Sequence, residues 1–243
     1  MVNYWNVVDK VILQSDILLE IIDARNIAQT RNPIIEDKVK KSGKTIIYVL
    51  NKCDLVRNRE KNILNPSVFI SCKNYRGMNL LKKRIIIEAK KKGIRKPIVG
   101  VLGYPNMGKS SVINALSGTG KARTSSMSGF TKGKQHINAR QFYLIDTPGV
   151  IPYGENDRVK NAMTGINTKS KDCEKDILLI LNEHPGIIEP YFNLPVEEDK
   201  EETLERITIH LKCLKKGNLP DTPRAAAMIL KWLRDGKIKY NAS

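Results

Sequence analysis

The chain has 243 residues, enough for one or two domains with a sizeable core, and 41% of them are hydrophobic and 28% charged, as in a folded globular protein. The 42 Lys and Arg residues exceed the 25 Asp and Glu residues, and the net charge of +17 favours a polyanionic partner such as nucleic acid. We expect no membrane span, because no apolar run approaches the roughly 18 residues required. The amino terminus also lacks the pattern of a signal peptide, and the composition excludes a disordered chain and a secreted miniprotein.

Cysteine usage indicates a reducing compartment. The four cysteines are scattered, at Cys53, Cys72, Cys173 and Cys213. They form no C-x-x-C pair, and no histidines cluster beside them. Zinc sites and disulfide frameworks show closer and more regular spacing. We therefore expect reduced thiols in a cytoplasmic protein.

The first 150 residues alternate apolar runs with amphipathic stretches. Short runs that are rich in branched side chains and bounded by turn residues are typical of buried strands. Such runs lie at residues 17–22, 44–50, 67–70, 97–102 and 142–145, and helical stretches lie at 34–42, 77–92 and 110–118. The alternation predicts an α/β fold with a mostly parallel sheet covered by helices.

A helical pattern replaces the strand pattern after Pro152. Apolar residues then recur on one face of a predicted helix, at Leu204, Ile207, Leu211 and Leu214. A further helix is predicted with Thr222 as its N-cap and Gly236 at its end. We therefore predict an α/β domain over residues 1–153 and a small helical domain over residues 154–243.

A phosphate-binding pattern, G-x-x-x-x-G-K-[ST], occupies residues 103–110, directly after a predicted strand and before a predicted helix. In such a loop, backbone N–H groups and the helix N-terminus surround phosphates with donors and positive dipole. Lys109 is placed to reach the β- and γ-phosphates, and the Ser110 hydroxyl can bind Mg²⁺. The neighbouring residues predicted to contact the nucleotide are Asn106, Met107, Gly108 and Ser111.

A second pattern, Asp146-Thr147-Pro148-Gly149, follows the predicted strand at residues 142–145. An Asp at the carboxyl end of a buried strand is where a Walker-B-type carboxylate holds Mg²⁺, directly or through water. Gly149 would let its backbone approach the γ-phosphate. Asp is common in Pro-Gly turns, so the pattern gains its weight from its place downstream of the phosphate loop.

Two motifs before the phosphate loop suit a guanine base. Asn51-Lys52-Cys53-Asp54 ends one predicted strand, and the carboxylate of Asp54 can accept from N1–H and the 2-amino group of guanine, donors that adenine lacks. A buried acceptor left unpaired is costly, so this position discriminates between bases. Ser71-Cys72-Lys73 ends the next strand and would offer a backbone N–H to guanine O6.

These motifs are those of a GTPase domain in rotated order, because both guanine motifs precede the phosphate loop. The chain resembles the circularly permuted GTPases of the YlqF/YawG type, which act in ribosome assembly. Further features of that family are found at Trp5, Ser15-Asp16 and Asp23-Ala24-Arg25. The resemblance implies a P-loop GTPase domain with a doubly wound, mostly parallel six-stranded sheet that includes one antiparallel edge strand, followed by a small all-helical domain.

The resemblance also implies cofactors and residue roles. GTP or GDP and Mg²⁺ are the expected ligands. Ser128-Gly129-Phe130-Thr131 is similar to the family's first switch, which makes Thr131 a Mg²⁺ ligand beside Ser110 and Asp146. Asn106 matches the asparagine that binds K⁺ in potassium-stimulated GTPases, although Asn side chains also stabilise turns through the backbone, and both roles stay open. The residues predicted to be catalytic are Asn106, Lys109, Thr131 and Gly149.

The segment after Gly149 bears on the rate of hydrolysis. It reads Val150-Ile151-Pro152 and holds no glutamine to orient water, so we expect a GTPase with a slow intrinsic rate. K⁺ or a ribosomal group would then supply transition-state charge. The same short segment leads into the helical domain, and we expect loss of the γ-phosphate to move it.

Basic stretches indicate an RNA-binding surface. Residues 82–96 hold eight cations and one acid, Glu88, and more cations lie in the helical domain. A solvated helix face is the alternative explanation, but the charge density favours phosphate contacts. The expected partner is a ribosomal subunit or its rRNA, and the large subunit is favoured over the small one. We expect the protein to be a monomer, and we expect no membrane or DNA partner.

Three functions fit the sequence. The first is a GTP-hydrolysing ribosome assembly factor that binds rRNA or a pre-ribosomal subunit in a nucleotide-dependent way, and this is our prediction. The second is a nucleotide-gated RNA-binding module with negligible turnover. The third is a GTPase acting on tRNA or a protein partner. Salt dependence of RNA binding separates the third, and turnover with and without ribosomes separates the first two.

Overall fold

The computed structural model describes residues 4–56, 64–118, 136–139, 141–146 and 173–238. The chain divides into two compact units, Met1–Glu155 and Asn156–Ser243. The described strands of the first unit are β1 (Ile17–Asp23), β2 (Thr45–Asn51), β3 (Ser67–Phe69), β4 (Ile98–Leu102), β5 (His136–Asn138) and β6 (Tyr143–Asp146). Its described helices are α1 (Tyr4–Gln14), α2 (Ile27–Thr30), α3 (Pro33–Lys41), α4 (Met78–Lys91) and α5 (Lys109–Ser117), with a 3₁₀ turn at Cys53–Leu55.

The strands form one doubly wound sheet in the order β3-β2-β1-β4-β6-β5. Strand β5 is antiparallel to β6, and the other neighbouring strands are parallel. The chain leaves β1 toward β2 and β3 and then returns to β4 on the other side of β1. This reversal is a topological switch point. The predicted α/β fold, its mostly parallel sheet and its antiparallel edge strand are confirmed.

Strand β1 lies at the centre of the core. All seven of its residues are buried, so both faces of the sheet are covered, as a continuous apolar run predicts. On one face, Leu18 packs in a cluster with Val11 of α1 and with Ile35 and Val39 of α3. Helix α1, which the sequence analysis did not predict, therefore contributes to this core.

A buried acid on β1 fixes the start of α3. Glu20 is fully buried, and its Oε1 accepts from the backbone N–H of Asn32 at 2.6 Å. Asn32 is the N-cap of α3, and its Oδ1 accepts from the N–H groups of Ile34 and Ile35, while Pro33 stands at the first helical position. A side-chain acceptor followed by Pro is a strong helix start, so the sequence determines this boundary.

The described part of the second unit consists of helices α6 (Cys173–Glu183), α7 (Lys200–His210) and α8 (Thr222–Asp235) and a 3₁₀ turn at Glu189–Phe192. Their apolar faces form a separate core, which includes Ile177, Ile180, Leu204, Ile207, Ile229 and Leu233. The Trp232 ring lies 5.7 Å from that of Tyr191 and 6.3 Å from that of Phe192, centroid to centroid. No helix in the described ranges is long and apolar enough to cross a membrane.

Two boundaries in this unit differ from the sequence prediction. Helix α7 ends at His210, so Leu214 lies beyond it, in an isolated bridge to Pro220. The N-cap of α8 is Asp221 and not Thr222, because the Asp221 carboxylate accepts from the N–H of Arg224, whereas the Thr222 hydroxyl donates to the Glu174 carboxylate. Helix α8 ends at Gly236 in the left-handed conformation, as expected.

Candidate nucleotide-binding site

Several of the predicted site residues lie at one edge of the sheet. Parallel strands end at the same edge, and β1, β2 and β6 end at Asp23, Asn51 and Asp146. The register places Asp23 beside Asn51, and it places Asp146 beside Val101 of β4. The switch point between β1 and β4 lies at this edge, where open α/β sheets form a ligand crevice.

The phosphate loop joins β4 to α5 and needs glycine at two positions. Gly103 has φ of +136°, and a Cβ there would lie 2.6 Å from the carbonyl oxygen of Ile21. Gly108 has φ of +94°, and its Cβ would lie 2.4 Å from Asn51 Nδ2. A side chain at either position would displace the loop from the strands beneath it. The loop therefore has the strand, the glycines and the helix that its sequence pattern requires.

Lys109 places a positive charge inside this loop. The residue begins α5 and is only 7% exposed. Its ammonium donates to the carbonyl oxygens of Gly103 and Tyr104 at 3.0 and 2.8 Å. Ser110 and Ser111 follow in the first helical turn and are half-buried. A buried cation beside a helix N-terminus makes a strong site for an anionic ligand.

Asn51 links the phosphate loop to the predicted base-binding loop. Its side chain is almost fully buried, and its Nδ2 donates to the carbonyl oxygen of Met107 at 2.9 Å. Its Oδ1 accepts from the backbone N–H of Cys72 at 3.4 Å. One side chain thus ties together three segments that are far apart in the chain. The sequence pointed to Asn51 as a nucleotide residue, and the structure adds this connecting role.

The base-binding loop after β3 is closed by its own backbone. Ser71 and Arg76 exchange two backbone hydrogen bonds of 3.0 and 3.1 Å. The N–H of Cys53 donates to the carbonyl oxygen of Ile70 at 3.0 Å, which holds the turn carrying Asp54 against this loop. Lys73, at the far side of the loop, is exposed.

Cys72 stays a neutral thiol in this loop. Burial raises the pKa of Cys72 to about 12, and the charge of Asp54 adds to the rise. The hydrogen bonds from Cys53 N–H to Ile70 and from Cys72 N–H to Asn51 bring the segment at residues 51–54 beside this loop. The two sequence-predicted guanine motifs therefore meet in space.

An ionic cluster at the end of β1 holds Lys52. The Asp23 carboxylate is nearly fully buried and accepts from Arg25 Nε at 2.9 Å, from Arg25 Nη2 at 2.7 Å and from Lys52 Nζ at 2.9 Å. Burial alone would raise the pKa of Asp23, but the hydrogen bonds and charges of Arg25 and Lys52 outweigh it and hold the pKa well below its usual range. Lys52 itself has φ of +62°, a conformation uncommon for a residue with a side chain.

No local sequence pattern predicts this cluster, and Asp23 and Arg25 were expected only as features of the family that the chain resembles. One feature of the sequence could have indicated it: β1 ends at Asp23 and β2 ends at Asn51, just before Lys52, and parallel strands end at the same edge of a sheet.

Part of the predicted site lies outside the described residues. Thr131 and Gly149 fall there, and for Asp146 the structure describes the backbone at the end of β6. Asn106 is half-buried in the phosphate loop with φ of +63°, and Met107 is buried.

Known proteins share the chain's sequence features. The family described as 50S ribosome-binding GTPase matches residues 98–216. An uncharacterized GTP-binding protein of Methanocaldococcus jannaschii is 38% identical, over 96% of this chain and 65% of that protein. Nucleolar GTP-binding protein 2 of Neurospora crassa is 34% identical, over 97% of this chain and 41% of that protein. The same-named protein of Saccharomyces cerevisiae is 30% identical, over 97% and 52%. The chain thus spans between 41% and 65% of the length of these relatives.

Solved structures share its fold. A crystal structure of GNP-bound YlqF from T. maritima superposes with a TM-score of 0.67 at 21% identity, covering 97% of this chain and 95% of that one. A GDP-bound YlqF structure gives 0.67 at 20% identity, with 95% of each chain covered. In the present sequence the guanine motifs precede the phosphate loop. The chain is therefore similar in sequence to GTP-binding proteins, has the motif order of the circularly permuted GTPases and shares the fold of YlqF.

Proposed function

We propose that this chain is a GTP-hydrolysing ribosome assembly factor that binds rRNA or a pre-ribosomal subunit in a nucleotide-dependent way. The observation that carries the proposal is the position of Asn51, whose side chain joins the phosphate loop to the base-binding loop. A phosphate-binding cation, Lys109, and a base-binding carboxylate, Asp54, are thereby fixed relative to each other. A nucleotide with a guanine base and a polyphosphate matches this pair of groups.

Each nucleotide-contacting residue has a role in this proposal. Asp54 accepts from N1–H and the 2-amino group of guanine, and the loop at residues 71–73 offers a backbone N–H to O6. Lys109 and the N–H groups of the phosphate loop bind the β- and γ-phosphates. These contacts choose guanine by hydrogen bonding, because adenine lacks the donors that Asp54 needs.

The residues around the phosphate loop also fit Mg²⁺. Ser110 lies in the first turn of α5, and the backbone of Asp146 ends the strand beside β4. A hydroxyl and a carboxylate are oxygen donors of the kind that Mg²⁺ prefers. Thr131 is proposed as a further ligand, and Gly149 as a backbone contact to the γ-phosphate. Bound Mg²⁺ would neutralise charge on the phosphates.

Hydrolysis by the chain alone is proposed to be slow. Val150, Ile151 and Pro152 offer no side chain that could orient water. The charge that develops in the transition state would be stabilised by K⁺ at Asn106 or by a group of the ribosome. Turnover would then depend on the partner, as an assembly factor requires.

Several observations support the ribosomal partner. The matching family is described as 50S ribosome-binding, which favours the large subunit, and two relatives are named as nucleolar proteins. The net charge of +17 suits rRNA. In the sequence, residues 150–152 directly follow Gly149 and precede the helical unit, and a nucleotide-dependent change in this segment would make binding depend on the nucleotide. Free thiols at all four cysteines accord with a reducing compartment such as the cytoplasm.

The test is steady-state GTP hydrolysis in K⁺ and in Na⁺ buffer, with and without purified small and large subunits. We expect slow turnover alone and stimulation by large subunits of about tenfold or more. Asp54→Asn serves as the specificity control, because the amide keeps one acceptor but replaces the acceptor for the 2-amino group of guanine by a donor for the 2-oxo group of xanthine. The variant should lose GTP turnover and gain turnover of xanthosine triphosphate.

The opposite outcomes select the other functions. Absence of stimulation together with tight, GTP-dependent RNA binding would leave a nucleotide-gated RNA-binding module. Stimulation by tRNA or by a protein fraction, with no effect of either subunit, would leave a GTPase with a different partner.

A further inference from the structure

Two lysine-rich segments meet at the edge of the sheet opposite the nucleotide site. Residues 40–44 run from the end of α3 to the start of β2, and residues 90–96 run from the end of α4 almost to the start of β4. Both segments therefore lie where strands begin. The Nζ of Lys92 donates to the carbonyl oxygen of Gly43 at 3.1 Å, which joins the segments. This amino-edge surface is defined by Lys40, Lys41, Lys44, Lys90, Lys91, Lys92, Arg95 and Lys96.

The amino-edge surface carries more positive charge than its acids balance. The two segments contain eight cations and no Asp or Glu. Three carboxylates border them, and each already has a partner. Asp37 pairs with Lys41 at 2.7 Å, Glu88 pairs with Lys91 at 2.9 Å, and Asp16 accepts from a backbone N–H at the start of β4.

Several of these cations face solvent without a carboxylate. Lys40, Lys90 and Arg95 are exposed and Lys44 is half-exposed, and none of the four forms an ion pair with another described residue. Like charges held this close repel one another, so a polyanion bound here gains attraction from all of them at once.

The side-chain chemistry favours a phosphate backbone over a protein or a membrane. Seven of the eight cations are Lys, which is depleted at protein–protein interfaces but binds phosphate as a point charge. Exposed large apolar side chains at this edge include Leu13, which is 72% exposed near the end of α1, and Tyr143, which is 37% exposed and has the Lys96 ammonium 4.2 Å from its ring centre. Single apolar side chains among eight cations offer little continuous apolar area for lipid insertion, and the described residues here offer little open ring face for stacking of unpaired bases.

The two ligand surfaces are separated by the length of the strands. Strand β2 has seven residues between Lys44 and Lys52, which corresponds to about 23 Å at roughly 3.3 Å per residue. A polyanion on the amino-edge surface and a nucleotide at the carboxyl edge therefore occupy different ends of the same sheet. Neither excludes the other.

We propose that the amino-edge surface binds the phosphate backbone of structured RNA, and that it does so to the same extent in the GDP and GTP states. The choice of RNA as the polyanion rests on the proposed function. The surface anchors the protein on RNA, and nucleotide-dependent contacts come from other parts of the chain.

The test compares two variants with the same loss of four charges. The edge variant carries Lys40→Gln, Lys44→Gln, Lys90→Gln and Arg95→Gln. The control variant carries Lys212→Gln, Lys215→Gln, Lys216→Gln and Lys231→Gln, at positions exposed in the helical unit. Fluorescence anisotropy measures binding to an RNA hairpin with a stem of about 16 base pairs. The titration is done with GDP and with a non-hydrolysable GTP analogue, over a KCl series.

We expect the edge variant to bind the hairpin about tenfold more weakly or worse. Its plot of log K against log [KCl] should be shallower by roughly three, given up to about 0.9 for each phosphate contact removed. Both effects should be equal in the two nucleotide states, and GTP affinity should be unchanged. The control variant should lose less affinity in the GDP state.

Three results would overturn the proposal: unchanged RNA binding by the edge variant, a loss no larger than that of the control, or a loss confined to one nucleotide state. Edge-dependent binding to phosphatidylserine vesicles without binding to RNA would also overturn it. Subunit-stimulated hydrolysis separates the proposals. Missing stimulation with edge-dependent RNA binding rejects the proposed function alone, and normal stimulation with no edge effect rejects the surface alone.

Discussion

Replacing Asp23 by Asn is the sharpest test of how the guanine side of the site is held. The substitution keeps the size of the side chain and removes its charge. The carboxylate accepts three hydrogen bonds from Arg25, including one of 3.0 Å from its backbone N–H, and one from Lys52. The variant would leave two cations facing an amide.

The magnitude follows from the burial of these groups. Breaking a buried ion pair by removing one partner costs about 3–5 kcal/mol, because the other charge stays desolvated. The Arg25 side chain is 9% exposed and cannot reach water readily, whereas that of Lys52 is 23% exposed and can turn outward. The Asn oxygen also still accepts one bond. We therefore expect the low end of this range, about 3 kcal/mol of lost unfolding free energy.

Urea unfolding followed by tryptophan fluorescence measures this loss. The chain has two tryptophans, so a Trp232→Phe background leaves Trp5 as the reporter for the GTPase unit. Glu36→Gln is the matched control, because Arg31 also binds Glu36 through two hydrogen bonds but is 34% exposed. That control should lose about 1 kcal/mol or less. An Asp23→Asn loss no larger than the control's would refute the idea that burial gives this cluster its strength.

Three further predictions concern stability. The pKa of Asp23 is depressed in the folded state, so the contribution of its carboxylate to the free energy of unfolding is complete above the unfolded pKa of about 4 and is lost as pH falls below that value. In urea titrations the difference in unfolding free energy between wild type and Asp23→Asn should therefore be smaller at pH 3 than at pH 7. A difference that stays constant would contradict this. Gly100→Ala should lower the free energy of unfolding by about 1–3 kcal/mol in the same fluorescence assay, because the new Cβ would lie 2.4 Å from Ser15 Oγ and 2.8 Å from Val11 Cγ1. An unchanged free energy would mean that α1 shifts freely. Asp199→Ala should destabilise the helical unit by about 1 kcal/mol, because the Asp199 carboxylate accepts from the N–H groups of Glu201 and Glu202 at 2.9 Å. Trp232 fluorescence measures this loss. Glu198→Ala is the control, and it should have little effect.

Much of the fold could be predicted because the parallel strands are buried on both faces. A run such as that of β2 has no polar face to obscure it, and turn residues mark where it ends. Helix α1 does carry a helical pattern, because its buried residues Val8, Val11 and Ile12 are spaced i, i+3 and i+4, so its signal was present in the sequence. Strand β5 is only three residues long, too short for a period to show.

The site was predictable as far as local patterns reached. The phosphate loop is a single continuous pattern, and its glycines are required by contacts that any such loop makes. The contact of Lys52 with Asp23 joins residues far apart in the chain, and so does that of Asn51 with Met107. Such contacts depend on the order of the strands in the sheet, and a single sequence does not specify that order. The N-cap of α8 shows the same limit on a smaller scale, since Asp221 and Thr222 are adjacent candidates and only the backbone geometry decides between them.

The central place of β1 has a consequence for how the chain is made. On the growing chain, β1 can pair with β2 long before β4, which starts at Ile98, has been synthesised. Until then, residues 17–20 of β1 present open backbone groups on the side that β4 later covers. At about 5–20 residues per second this interval lasts several seconds, and an open apolar strand edge is prone to pair with the wrong chain. Docking of β4 ends that exposure and brings in the phosphate loop in the same event. Nucleotide binding by the nascent chain would therefore report that β4 has docked on β1.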